Sequence, residues 1–128
     1  MIDAIRARLA RRWALAKDEA SWCGLVITVD DQSAMVVVKP INATRVIIAA
    51  QVCPLRALEA SAALQYNAFA PRGALAIEQG TMYVLREVVT IDDSMEDVIE
   101  ELAREAVRLR TNADGAMKSA QALSHYAD

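Results

Sequence analysis

The stretch WCGLVITVDDQSAMVVVKPINATRVIIAAQV, residues 22–52, decides the fold. It holds three runs dense in Val, Ile and other strand formers, Trp22 to Val29, Ala34 to Val38 and Thr44 to Val52. The links are short and polar, Asp30-Asp31-Gln32-Ser33 first and then a segment with Pro40 and Asn42. β-Branched runs separated by such links read as an antiparallel meander. The central positions are apolar on both faces, so both faces of the sheet are expected to be at least partly covered.

On the N-terminal side the period changes. Ile2, Ile5, Leu9, Trp13 and Ala16 recur at three- and four-residue steps, which predicts one helix over residues 2–20. Arg6, Arg8, Arg11, Arg12 and Lys17 occupy its other faces against a single acid, Asp3. The plain expectation is that these cations pair with acids elsewhere in the chain; the alternative is a basic patch for an acidic partner or an anionic surface.

On the C-terminal side, Pro54 is suited to the first turn of a second helix. Its stripe is Leu55, Leu58, Ala62 and Tyr66, with Leu64 beside it and Asn67 as terminator. After the loop Pro71-Arg72-Gly73, Ala74 to Glu78 and Thr81 to Val89 form two strands, joined as a hairpin through Gln79-Gly80. Asp92-Asp93-Ser94 then supplies capping side chains for a last helix with the stripe Met95, Val98, Ile99, Leu102, Ala106 and Leu109. Arg104, Arg108 and Arg110 suit the negative C-terminal end of its dipole. Gly115 is expected to end or bend this helix, leaving a further short helix or a frayed tail. The expected class is α+β, in the order α-β-β-β-α-β-β-α, with an antiparallel sheet flanked by helices in one domain over residues 1–128.

Composition bounds the function. Hydrophobic residues make up 55% and charged residues 24%, enough for a packed core. A net charge of −3 argues against a nucleic-acid binder, which needs cations to displace counterions from phosphates. No apolar run is long enough for a membrane span and no secretory signal is recognisable, so a cytoplasmic protein without membrane insertion is expected. Cys23 and Cys53 lie in apolar strand-like runs without zinc-ligand spacing and read as buried hydrophobes. The one histidine, His125, sits near the C-terminus. The acids between Asp92 and Glu105 lack the glycine and ligand spacing of a calcium loop. No catalytic residue, metal site or cofactor is therefore expected, and the protein reads as a non-enzyme.

The second half resembles the class I type III secretion chaperones, the Tir-chaperone family. Leu64-Gln65-Tyr66-Asn67 is similar to the family's Leu-x-x-Asn at the end of its middle helix. Gly73 to Ile77 and Thr81 to Val88 resemble the two strands that follow it, and Leu25 to Asp31 resembles the first strand with its acidic turn. The match spans roughly residues 22–110, and the YbjN-like proteins share the fold. The resemblance implies a small acidic homodimer that holds the N-terminal segment of a secreted effector. The alternative is a regulatory or scaffold protein binding a folded cytoplasmic partner. Expected partner-binding residues are Ile5, Leu9, Trp13, Val36 and Val38; expected dimer contacts are Leu58, Leu64, Met82 and Val84.

Overall fold

The computed structural model describes residues 2–127, with side chains for all of these except Asp18 and residues 114–127. The elements are α1 (Ile2–Leu9), β1 (Ala14–Asp18), β2 (Cys23–Val29), β3 (Gln32–Pro40), β4 (Arg45–Pro54), a 3-10 turn (Leu55–Ala57), α2 (Ala60–Phe69), β5 (Ala74–Glu78), β6 (Met82–Thr90) and α3 (Met95–Ala127). One antiparallel sheet contains all six strands in the order β1-β2-β3-β4-β6-β5. The fold is α+β, as expected.

The first expected helix is half strand. α1 stops at Leu9, and Ala14–Asp18 pairs with β2 instead, Ala14 opposite Val26 and Leu15 opposite Leu25. Ala and Leu are good helix formers, but intrinsic propensity is a small effect per residue, and the ladder offered by β2 together with a core contact for Leu15 overrides it. A further strand therefore enters the order, which becomes α-β-β-β-β-α-β-β-α. Pro54 closes β4 and stands at the N-cap of the short 3-10 turn Leu55–Ala57, not in the first turn of an α-helix; α2 begins only at Ala60.

Register places the core. Cys23, Leu25 and Ile27 stand opposite Val38, Val36 and Ala34, and the same row continues through Ile48 and Ala50 of β4 to Leu85 of β6. All are buried, and α3 covers them with Met95, Ile99, Leu102 and Ala106. Ile5 and Leu9 of α1 complete this cluster. Asp92 Oδ1 accepts hydrogen bonds from Ser94 N (2.9 Å) and Ser94 Oγ (2.6 Å), ordering the turn from which α3 starts. α3 runs on through Gly115 to Ala127 rather than stopping there. The flanking alanines outweigh the ~1 kcal/mol that one glycine costs a helix. His125 lies outside the residues whose side chains are described.

Two irregularities are satisfied by side chains from other elements. A register shift between Gln51 and Cys53 of β4 turns carbonyls away from the ladder. Arg110 donates to three of the carbonyls nearby, Val52 O (2.9 Å), Gln51 O (3.1 Å) and Ser33 O (2.8 Å). Its role is to clamp α3 onto β3 and β4, and it is a mid-helix residue, not one answering a helix C-terminus. Asn67 acts on the sheet edge: its amide donates to Leu75 O (3.1 Å) and accepts from Leu75 N (2.7 Å). Asn67 thus occupies the outward backbone groups of edge strand β5, which blocks further strand pairing at that point.

Candidate protein-binding face

Each strand has a second set of side chains, and among the described residues no helix packs across it. On β3 this set is Ser33, Met35, Val37 and Lys39; on β4, Arg45, Ile47, Ala49 and Gln51; on β6, Met82, Val84, Arg86 and Val88. The expectation that both faces are covered is corrected: α1 and α3 lie on one side only. The bare face is nevertheless apolar at its centre. Val84 is 3% exposed and Ala49 7%, so the floor is recessed between taller neighbours even without a covering layer.

The recess is a shallow hollow of about 460 Å³. Trp22, Met35, Val37, Met82 and Val84 supply its apolar lining, and Lys17, Lys39, Gln51 and Glu78 stand around it. A second hollow adjoins it across Val37 and Val84 and extends to Ile47, Ala76 and Arg86. Lys17 meets this face because β1 has a register shift between Leu15 and Lys17 that brings Lys17 opposite Gly24. With no side chain at Gly24, the Lys17 stem and the Trp22 ring come together above that position. A concave apolar floor with polar groups at its border can bury side chains of a bound chain while its backbone stays near water.

The sequence-derived residues are distributed differently from expectation. Ile5, Leu9, Val36 and Val38 are buried in the core under α3, so they have no surface to offer a partner. For Val36 and Val38 the parity is inverted: Met35 and Val37 are the members of β3 that face outward. Trp13 has left the helix; half-buried between α1 and β1, it packs on the core with the Arg12 guanidinium 4.9 Å above its ring. Leu58 is half-buried against the core just after the 3-10 turn. Leu64 stands outward on α2 at 72% exposure, while Met82 and Val84 line the bare face. The four expected dimer contacts therefore do not form one patch.

No protein-family model, curated protein or solved structure matches the chain.

α2 carries a second unusual surface. Its sequence, ASAALQYNAF, has no charged side chain in a protein whose residues are 24% charged. Leu64, and Phe69 at 88% exposure, belong to it, and Ile77 at 58% exposure lies on the adjacent strand β5. On its inner side Tyr66 Oη donates to Glu105 Oε1 (2.9 Å), and burial with that bond raises the Tyr66 phenol above its ordinary pKa.

Titratable groups elsewhere are engaged in fixing the helices. Arg8 Nε donates to Glu96 Oε2 at 2.8 Å, its Nη2 reaches Glu96 Oε1 and the carbonyl of Asp92, and this pairing holds Glu96 below the usual carboxylate range. Arg108 does the same for Glu105. Among the described residues no group of three or more His, Cys, Asp or Glu side chains is placed to hold a metal ion. None of the described helices is long and apolar enough to cross a membrane.

Proposed function

We propose that this chain is a non-catalytic protein-binding domain, a small homodimeric chaperone that holds the N-terminal segment of a secreted effector against the bare face of its sheet. One observation carries the reading: an antiparallel sheet with all its described helices on one side and a recessed apolar floor on the other. Contiguous apolar surface with a polar border is a recurrent mark of docking sites. The resemblance of residues 22–110 to the Tir-chaperone family supplies the class of client.

For the dimer, the uncharged outer side of α2 is the favoured contact, and it replaces the scattered set expected from sequence. Leu64 and Phe69 would bury apolar surface between copies, and no charge on α2 would be stripped of water. Leu64→Glu is expected to convert a dimer to a monomer in analytical ultracentrifugation, with the thermal unfolding midpoint of the monomer unit little changed. A monomeric parent chain would remove the dimer from the proposal.

The client experiment uses the full chain to capture a partner from its native cell extract, followed by limited proteolysis of the complex. The expected result is a protected N-terminal stretch of a secreted protein. Val37→Glu, which sets a charge on the apolar floor, should weaken capture at least tenfold while the circular dichroism spectrum is kept. A folded partner without a protected terminal segment would overturn the chaperone reading and favour the scaffold one.

A further inference from the structure

We propose that the segment bound on the bare face is acidic, with carboxylates meeting Lys17, Lys39 and Arg86 while its apolar side chains enter the hollows above Val37 and Val84. This deepens the protein-binding reading and rests on it. Charge is distributed unevenly between the two faces of the sheet. On the helix side, arginines are matched with acids: Arg8 with Glu96, Arg12 with Asp97 and Glu100, Arg72 with Glu87, Arg108 with Glu105. On the bare face, Lys17, Lys39, Arg45 and Arg86 have no ion pair with any described residue, and Glu78 is the one carboxylate lining either hollow. An acidic protein, at net charge −3, thus gathers four cations without an ion pair on the same face as its recessed apolar floor, while Arg11 and Arg56, also without one among the described residues, lie in the α1–β1 turn and the 3-10 turn.

Arg86 makes the point most sharply. In the register it stands between Ala49 of β4 and Ala74 of β5, and along its own strand Val84 and Val88 share its face. A guanidinium surrounded by small and aliphatic side chains has its donors presented to whatever lies on the sheet, and it suits bidentate binding of a carboxylate. Lys39 has a comparable position at the other side of the hollow, beyond Val37 on β3 and in line with Trp22. Complementary charge at the border chiefly directs encounter and register, and the apolar floor supplies the burial.

The floor also selects among anionic partners. Sheets that bind single-stranded nucleic acid stack bases on several aromatic side chains, whereas Trp22 is the single aromatic lining these hollows. An anionic bilayer is flat and takes protruding apolar groups, whereas Val84 and Ala49 are recessed. An acidic polypeptide with interspersed aliphatic residues fits both conditions.

The test titrates the full chain into short labelled peptides that alternate valine with glutamate, lysine or glutamine, followed by fluorescence anisotropy at two salt concentrations. The glutamate peptide is expected to bind about tenfold more tightly than the lysine peptide, as a few exposed ion pairs would give. That margin should shrink at high salt. The double variant Lys39→Glu and Arg86→Glu, two exposed surface positions, should reverse the preference between the glutamate and lysine peptides while the circular dichroism spectrum is kept. Equal binding of all three peptides would overturn the charge inference and leave the protein-binding reading standing. Binding of single-stranded DNA or phosphatidylserine vesicles with no binding of any peptide would overturn both.

Discussion

Gly73→Ala is expected to destabilise the fold by about 3 kcal/mol and Leu102→Ala by about 3–4 kcal/mol, with the double variant about 1 kcal/mol less destabilised than their sum. Gly73 has φ of +64°, a left-handed conformation that costs an L side chain about 1–2 kcal/mol. A Cβ built there would also meet Arg86 O at 3.0 Å and Leu102 Cδ2 at 3.1 Å. The first contact is with backbone in β6 and cannot yield cheaply; the second is with a side chain at the centre of the α3 core stripe. Truncating Leu102 opens a cavity and removes that second clash, which is why the two effects should couple. Gly80→Ala is the control: φ is +69° but nothing lies within 4 Å, so only the backbone cost should remain. Urea unfolding of the four members of the cycle and of the control measures all of this. Strict additivity would show that the loop carrying Gly73 shifts away from α3 when it is substituted.

The meander, the β5–β6 hairpin and the amphipathic first half of α3 could be read from sequence because period and turn chemistry agree there. Gln79-Gly80 is an example: both residues have positive φ, at 52° and 69°, as a tight hairpin turn demands. β1 could not be read, since Ala14 to Asp18 forms a strand only because β2 has an edge to pair with, and that is a long-range fact. The parity of β3 has a signal in its end residues. Ser33 and Lys39 bound the set of Met35 and Val37 at both ends, and polar ends mark the set that meets water, whereas the set of Ala34, Val36 and Val38 has a polar end, Gln32, on one side only. The same rule reads Arg45 and Gln51 on β4, but it fails on β6, where Glu87 shares the core-side set with Leu85 and Val89. The basic bias of the first 17 residues split as neither sequence reading alone would have it: Arg8 and Arg12 pair with acids of α3, while Lys17 joins the bare face.

Arg8→Met is expected to destabilise the protein by about 2–3 kcal/mol at neutral pH, by an amount that shrinks on acidification. α1 is only eight residues long, too short to persist by its own propensity, so its place depends on Ile5 and Leu9 in the core and on Arg8 at its border with α3. The Arg8 and Glu96 side chains are 29% and 20% exposed, so the pair is partly shielded from solvent and from salt. Methionine keeps most of the packing of the arginine stem; what it removes is the two-pronged bond to Glu96 and the bond to the Asp92 carbonyl. The sign of the pH effect follows from Glu96, whose folded pKa is depressed, first by the bond to Arg8. Such a group contributes stability that is fully present above the unfolded carboxylate value of about 4.3 and is lost as pH falls through its lower folded value. In Arg8→Met the largest cause of that depression is gone, so the parent should lose stability in acid more steeply than the variant, and the gap between them should narrow below about pH 4. Arg8→Lys keeps the charge without the planar fork and should fall between the two at pH 7. Thermal unfolding of the three proteins from pH 7 to pH 3 reads the effect directly, and a gap independent of pH would assign the role of Arg8 to packing alone.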